Sequence, residues 1–344
     1  MLTLTSEFSN DILTNLKEIE EVVRRDGYQL GIRRNRYWGY CRKEKNLFFP
    51  ISILYILIGL ERWLTEEENS VLDHLKTMLL EEVPSYQKEC DPDFYNFYSV
   101  KPLDPFPNGY FFNHFWKFAL PCDSDDTALT YYVSGYAKDK VVKFKQELER
   151  RTKSTGENAY ITWLGTEKMP VEKSIPVICN VLSLFQKHDL LHDELALSSL
   201  NLVIDFIRDE RLIDFPFEYS IHYPQDAVVA YHMARIGGLL KGQIRKSFID
   251  QVVELGRLKS DFFDIILLKN VLLSVDAKAN FIPQKTQGVL RSSPFFIASM
   301  MSYAPYQWMR KLAKNKFFHI NYVSPTLNQV LWIQYLVLSN RLEK

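Results

Sequence analysis

Two kinds of helical segment alternate along this chain, and this alternation constrains the fold more than any other feature of the sequence. Six segments with helical periodicity are apolar almost all the way round, which is typical of helices that are buried on every side. They are the stretches 50–63, 125–137, 174–187, 225–237, 261–274 and 325–339. The other segments are charged and amphipathic, and each would bury only one face. They cover residues 66–82, 139–152, 193–209 and 243–259.

The spacing of the apolar segments indicates a repeating helical hairpin. Segments that begin near residues 125, 175 and 225 are separated by about fifty residues, a length typical of a helix pair in repeat proteins. We therefore predict an inner ring of buried helices that is wrapped by an outer ring. The predicted fold class is all-α, an α/α toroid of approximate (α/α)6 type. It would form a single domain over residues 1–344, and an open α-solenoid is the alternative.

The stretch from residue 83 to residue 121 departs from the helical pattern. It is rich in Pro, Asp and aromatic residues, as in 91–95 and 105–110. Loops of this length without secondary structure of their own often serve as lids or binding loops. We therefore predict a long irregular loop at about 83–121, which leads into the apolar segment that begins at residue 125.

Charge and composition narrow the classes of function. Lys and Arg together number 42, and so do Asp and Glu, so the chain lacks the basic excess of a nucleic-acid-binding protein. We interpret the short basic run 33–36 as solvated surface. The longest apolar run, 48–60, is too short to span a bilayer, and residues 1–7 do not read as a secretory signal. We predict no nucleic acid partner, no transmembrane segment and a cytoplasmic location with reduced cysteines.

Three carboxylates are crowded at the predicted start of one apolar helix. Asp123, Asp125 and Asp126 lie within four residues. Because the negative charges of neighbouring carboxylates repel one another, we expect at least one of the three groups to have a raised pKa and to keep its proton near neutral pH. Such a group can act as a strong general acid in a dry cavity. Acidic residues at a helix start also suit an N-cap that interacts favourably with the helix dipole, and this interpretation stays open.

Residues 123–128, Asp-Ser-Asp-Asp-Thr-Ala, resemble the DxDDTA signature of class II terpene cyclases, whose superfamily includes the protein prenyltransferases. The resemblance implies an α/α toroid that cyclises an isoprenoid, or another apolar small molecule, after protonation, without a cofactor or a metal. Asp125, the middle carboxylate, would be the general acid, and Asp123 and Asp126 would orient it. Squalene-type members of the family build their cavity between two helical domains. The resemblance therefore also implies a second helical domain protein as a partner.

A carbocation formed by protonation would be stabilised by aromatic faces around the substrate. Aromatic residues in or near the predicted inner helices are candidates for this substrate-binding role, together with one histidine that could hydrogen-bond a carboxylate. The candidates are Trp116, Tyr131, Tyr132, Trp163, Trp332 and His114. Each of them also fits an ordinary core or loop position.

Two other functions remain open. A non-catalytic toroid would bind a lipid or a protein partner through the same cavity. A carbohydrate-active toroid would pair Asp125 with Asp226, since glycosidases use two carboxylates across a cavity. A zinc site of the prenyltransferase type would need Cys122 with His222 or His232, but the Asp-x-Cys order is missing. We therefore predict no metal.

Overall fold

The computed structural model describes residues 8–88, 91–105, 107–108, 120–165, 169–214, 217–282, 289–299, 301–302 and 306–342. Helices dominate the described ranges. They are α1 (Ile12–Asp26), α2 (Phe48–Leu60), α3 (Glu66–Glu81), α4 (Ser124–Val133), α5 (Lys138–Ser154), α6 (Ile175–Lys187), α7 (Glu194–Arg208), α8 (Asp226–Ala234), α9 (Gly242–Leu258), α10 (Phe262–Ser274), α11 (Gln307–Lys311) and α12 (Pro325–Leu342). The strands are β1 (Gly31–Asn35), β2 (Tyr40–Glu44), β3 (Gln87–Lys88), β4 (Asp91–Tyr95), β5 (Phe296–Ser299) and β6 (His319–Val323).

The even-numbered helices from α2 to α12 contact one another in a closed cycle. Each packs against the next in chain order, and α12 packs against α2. Their side chains supply much of the buried apolar core, which explains why these helices are apolar on nearly every side. The amphipathic helices α3, α7 and α9 each contact members of this cycle. In the described part of the chain, no helix is long and apolar enough to cross a bilayer.

Side-chain caps fix where several helices begin. Thr65 and Glu68 form a capping box at α3, in which each side chain accepts a hydrogen bond from the other residue's backbone N–H. Asp193 caps α7 and Asp261 caps α10 without the reciprocal bond, each by accepting a hydrogen bond of 2.9 Å from a backbone N–H in the first turn. These caps satisfy donors that a helix start otherwise leaves unpaired.

Two β-sheets contradict the predicted all-α toroid. The larger sheet is antiparallel with the strand order β2-β1-β6-β5, and it joins a hairpin near the N-terminus to the strands that flank α11. The smaller sheet pairs β3 with β4, inside the stretch that was predicted to be an irregular loop. The chain is therefore a mixed α/β protein, and the all-α prediction is wrong.

The buried positions of β1 are not apolar, so hydrophobic patterning does not reveal this strand. Every second residue of β1 points inward, and these buried residues are Gly31, Arg33 and Asn35. Gly31 permits a close approach to α2, because a Cβ atom there would lie 2.5 Å from the ring of Phe49. Arg33 forms an ion pair of 2.8 Å with Glu44, and both side chains are buried. A buried guanidinium needs such a negative charge beside it.

The ion pair gives a test of the sheet. Replacement Glu44→Ala should lower the free energy of unfolding by about 3–5 kcal/mol, because it removes the negative charge that compensates the buried charge of Arg33. Urea unfolding measures the effect. Glu21→Ala is the matched control, since Glu21 pairs with Arg24 at the surface and such pairs contribute about 1 kcal/mol or less. Equal losses in the two variants would contradict the importance of the buried pair.

Candidate functional site

The first turn of α4 holds all three aspartates of the acidic motif. Asp123 is the N-cap, and its Oδ1 accepts a hydrogen bond of 2.7 Å from the backbone N–H of Asp126. Its backbone carbonyl accepts from Thr127 Oγ1 at 2.6 Å. Ser124, the first helical residue, donates its hydroxyl to the carbonyl of Ile161 at 2.7 Å. The interpretation of the motif as a helix cap is therefore confirmed for Asp123.

Two neighbouring backbone segments hold the motif in place. Asp123 forms antiparallel bridges with Tyr95, at the end of β4, and with Trp163. The backbone N–H of Ser124 donates to the carbonyl of Thr162 at 2.9 Å. The start of α4 is thus enclosed between β4 and the loop around residue 163, and this arrangement removes the aspartates from water.

Burial has a large effect on the three carboxyl groups. Asp123 is 4% exposed, Asp125 is 6% exposed and Asp126 is 1% exposed. Burial, together with the charge of Asp125, raises the pKa of Asp123 to about 7. Burial also raises the pKa of Asp125. These directions agree with the expectation from crowding, but burial and not crowding is the larger cause.

Asp126 is the member of the cluster most strongly driven towards its neutral form. Burial raises its pKa well above the ordinary range, and the charges of Asp123 and Asp125 add to the effect. A hydrogen bond between the carboxyl groups of Asp126 and Asp123 acts in the same direction, since two carboxyl groups bond only when a proton lies between them. The Oδ1 atom of Asp126 is buried and accepts no hydrogen bond within the described ranges. An ionised Asp126 would therefore lack compensating donors.

Asp125 has a different environment, because polar side chains from two neighbouring helical regions reach it. Its Oδ1 accepts a hydrogen bond from Asn180 in the middle of α6, and its Oδ2 accepts one from the hydroxyl of Tyr223, which precedes α8. The carbonyl oxygen of Asn180 accepts in turn from Nη1 of Arg235 at the end of α8. These bonds and the charge of Arg235 lower the pKa of Asp125, but burial outweighs them.

Arg235 connects this chain of hydrogen bonds to a cavity of about 220 Å³, which the ends of α2, α8, α10 and α12 help to line. The Arg235 guanidinium lies 4.3 Å from the ring centroid of Tyr55 and 5.7 Å from that of Tyr231, so two aromatic faces contact its charge. No aspartate of the motif lines this cavity, and none lines the cavity beside Arg257 and Phe281. Hydrogen bonds through Arg235 and Asn180 therefore link the first cavity to Asp125, and no described contact links the second cavity to the motif.

A further buried carboxyl group lies beside the motif. Glu172 Oε2 accepts from Trp163 Nε1 at 3.0 Å and lies 3.8 Å from Nε2 of His222. The rings of Trp163 and His222 meet edge to face, with centroids 5.6 Å apart. Since Trp163 also pairs with Asp123, this group places an imidazole and a carboxylate next to the acid cluster. The charge of a protonated His222 lowers the pKa of Asp125.

Trp163 is the one predicted aromatic residue that, among the described residues, contacts the backbone of the acidic motif. The ring of Tyr131 packs instead on Phe144 of α5, with centroids 4.9 Å apart. Tyr132 packs on Tyr55, with ring centroids 4.6 Å apart. Tyr131 therefore packs against the core, and Tyr132 packs against a residue that lines the cavity. No described contact joins either ring to Asp125.

The remaining predicted substrate-binding residues are not brought to the motif by any described contact. Trp332 donates its Nε1 to the carbonyl of Ser9 at 2.9 Å and packs on Phe262 and other core residues. Trp116 and His114 lie outside the described residues. An aromatic lining around Asp125 stays a prediction.

Two residues of the site, Asn180 and Arg235, belong to no motif that predicts them. One signal was present: Asn180 interrupts a buried apolar helix, and a buried amide requires partners for both its oxygen and its nitrogen. Arg235 has no comparable signal, because an arginine at a helix end is usually a surface residue.

Residues that were considered as zinc ligands have other partners. Cys122 donates its thiol to Asn96 Oδ1 at 2.8 Å. His232 donates its Nδ1 proton to the carbonyl of Val228 at 2.8 Å. In the part of the chain that the structure describes, no three His, Cys, Asp or Glu side chains are arranged to hold a metal ion.

Comparison with known proteins does not identify the function of this site. No family model, curated protein or solved structure matches the chain. The likeness of residues 123–128 to the class II cyclase signature therefore remains a similarity of one short motif, and the function has to be argued from the geometry.

The raised pKa values predict that stability falls as the pH rises. The unfolded chain has aspartate pKa values near 3.9, whereas Asp123 titrates at about 7 in the folded state. Between these values the folded protein binds more protons, so the stabilisation is complete below the unfolded pKa and is lost as the pH rises through the folded one. The slope should approach about 1.4 kcal/mol per pH unit for each retained proton.

Asp126→Asn should flatten this slope, because it removes one titrating group and keeps a donor for Asp123. The free energy of urea unfolding, measured between about pH 5 and pH 8, gives the slope. Gln243→Ala, at an exposed position of α9, changes no titrating group, so it is the control and should leave the slope as in the wild type. An unchanged slope in Asp126→Asn would show that Asp126 is ionised in the folded protein.

Proposed function

We propose that this protein is a cofactor-free acid catalyst in which Asp125 protonates a carbon–carbon double bond or an epoxide of an isoprenoid and so starts cyclisation. The proposal depends on one observation above all. Three carboxyl groups are buried in one helical turn with raised pKa values. A carboxylic acid that keeps its proton at neutral pH is the reagent that such a reaction needs.

The geometry favours Asp125 over its two neighbours as the proton donor. Asp123 is occupied as the helix cap, and its carboxyl group is bonded to that of Asp126. Asp126 has almost no accessible surface, whereas Asp125 retains the largest exposed fraction of the three. Asp125 is therefore the least enclosed of the three carboxyl groups.

The partners of Asp125 stabilise the anion that remains after proton transfer. In the transfer step the O–H bond of Asp125 breaks, its electron pair stays on the carboxylate and a new C–H or O–H bond forms on the substrate. The hydrogen bonds from Asn180 and Tyr223 then point at a full negative charge, and hydrogen bonds to charged groups are stronger than those to neutral groups. Arg235, one hydrogen bond further away, adds a positive charge. Preorganised donors of this kind lower the barrier to transfer.

The substrate class is supported by the motif. Residues 123–128 are similar to the signature of class II terpene cyclases, in which an aspartate protonates an apolar isoprenoid. A second helical domain protein as a partner belongs to the same proposal. Such a partner would complete a chamber next to Asp125.

The pairing of Asp125 with Asp226, on which a carbohydrate-active enzyme would depend, gains no support. Asp226 forms an ion pair of 2.6 Å with Lys259. Among the described contacts, none joins Asp226 to Asp125. The sugar hypothesis is therefore not developed further.

Asp125→Asn should abolish turnover while the fold is retained. The variant keeps the shape of the side chain but removes the acidic proton, and general acid catalysis contributes at least about 100-fold. The assay incubates purified protein with linear polyprenes and prenyl diphosphates in D2O. Products are analysed by mass spectrometry, because a protonation-initiated cyclisation introduces solvent deuterium at the protonated carbon. Retained turnover in Asp125→Asn would exclude Asp125 as the acid, and Asp226→Asn should behave as the wild type.

Tyr223→Phe tests the stabilisation of the anion. Loss of a hydrogen bond to a charged group costs about 1.5–3 kcal/mol, so kcat should fall by roughly 10- to 150-fold with little change in KM. The loss of activity at high pH should shift upwards, since the pKa of Asp125 rises without this donor. An unchanged high-pH limb would contradict the role of Tyr223.

A further inference from the structure

Exposed aromatic side chains gather where the β1–β2 hairpin meets the segment 306–318. In the hairpin turn, Tyr37 is 66% exposed and Trp38 is 42% exposed. Trp308 and Phe317 of the segment are 63% and 43% exposed. The ring centroid of Phe317 lies 5.8 Å from that of Tyr37 and 5.6 Å from that of Trp38. We use the name hairpin patch for the exposed side chains of residues 36–38 and 308–317.

A buried side chain holds the two parts of the hairpin patch together. Asn35 Oδ1 accepts hydrogen bonds from the backbone N–H groups of Tyr37 at 2.9 Å and Trp38 at 3.2 Å. Its Nδ2 donates to the carbonyl of Phe317 at 2.7 Å. The aromatic rings are therefore presented on a hydrogen-bonded frame, so little conformational entropy is lost when they bind a surface.

The hairpin patch is basic, although the chain as a whole has equal numbers of positive and negative residues. The stretch 31–43 contains five Lys or Arg residues, of which Arg33 is buried and the other four are not. The stretch 306–318 contains four, and neither stretch contains Asp or Glu. The adjacent acid, Glu44, is buried in its ion pair with Arg33. Positive charge is thus concentrated around the exposed aromatic rings, and a complementary partner must be anionic.

We propose that the hairpin patch docks this protein on the surface of an anionic lipid bilayer. Trp and Tyr rings favour the level of the lipid headgroups. Exposed apolar side chains such as Leu312 and Phe317 enter the boundary of the acyl region. Each Lys or Arg near an anionic leaflet adds attraction. A nucleic acid is the weaker match, because the rings project from a turn and a short helical segment and do not line a groove.

This inference does not depend on the acid chemistry of Asp125, and its test uses the full chain without a substrate. Flotation compares vesicles of phosphatidylcholine alone with vesicles that also contain phosphatidylglycerol. We expect binding only to the anionic vesicles, with a bound fraction that decreases as NaCl is added. Lys311→Glu combined with Lys316→Glu should weaken binding at least about tenfold. Tyr37→Ser combined with Trp38→Ser should weaken it as well.

A matched control separates the position of the charges from their number. Lys143→Glu combined with Lys246→Glu changes the net charge by the same amount at exposed positions outside the patch, and should bind as the wild type does. Equal binding of the wild type to both kinds of vesicle would overturn the proposal. Equal losses of vesicle binding in the two double-lysine variants would also overturn it. Binding of the protein to a single-stranded oligonucleotide but not to the anionic vesicles would overturn it as well.

Discussion

The removal of three carboxyl groups from water at one helix start is the constraint on which the account of this protein depends. A carboxylate that enters a protein interior must keep its proton or find donors and a counter-charge. Asp123 and Asp126 share a hydrogen bond that requires a proton. Asp125 instead has an amide and a phenol as donors, with Arg235 behind them. Within one helical turn, Asp123 and Asp126 therefore share a proton, whereas the anion of Asp125 is stabilised by hydrogen-bond donors.

The helix arrangement explains how these partners meet. α4 packs against α6, and α6 packs against α8, so side chains from three consecutive members of the cycle converge although they are distant in sequence. Asn180 is 55 residues from Asp125, and Tyr223 is 98 residues away. The same buried helices that form the core thus carry the polar side chains that tune one carboxyl group. A buried polar network of this kind is stable only when its members satisfy one another.

Sequence patterns predicted the local features of this protein better than its tertiary ones. The apolar helices follow from periodicity, and the acidic cluster follows from three aspartates within one turn. The larger sheet was missed because the inward residues of β1 include Arg33 and Asn35, which no hydrophobic pattern marks as buried. The partners of Asp125 were missed because their meeting depends on helix packing, and only the isolated amide of Asn180 in an apolar helix gave a hint.

The protonation state of Asp125 is the most direct test of the central claim. The carboxyl ¹³C chemical shifts of protein labelled in aspartate report it as the pH is varied, and the signal that disappears in Asp125→Asn assigns the residue. Because the three groups interact, the motif titrates as a unit. The account predicts that the Asp125 signal titrates above the ordinary aspartate pKa of about 3.9. An Asp125 signal that titrates at or below that ordinary value would contradict it.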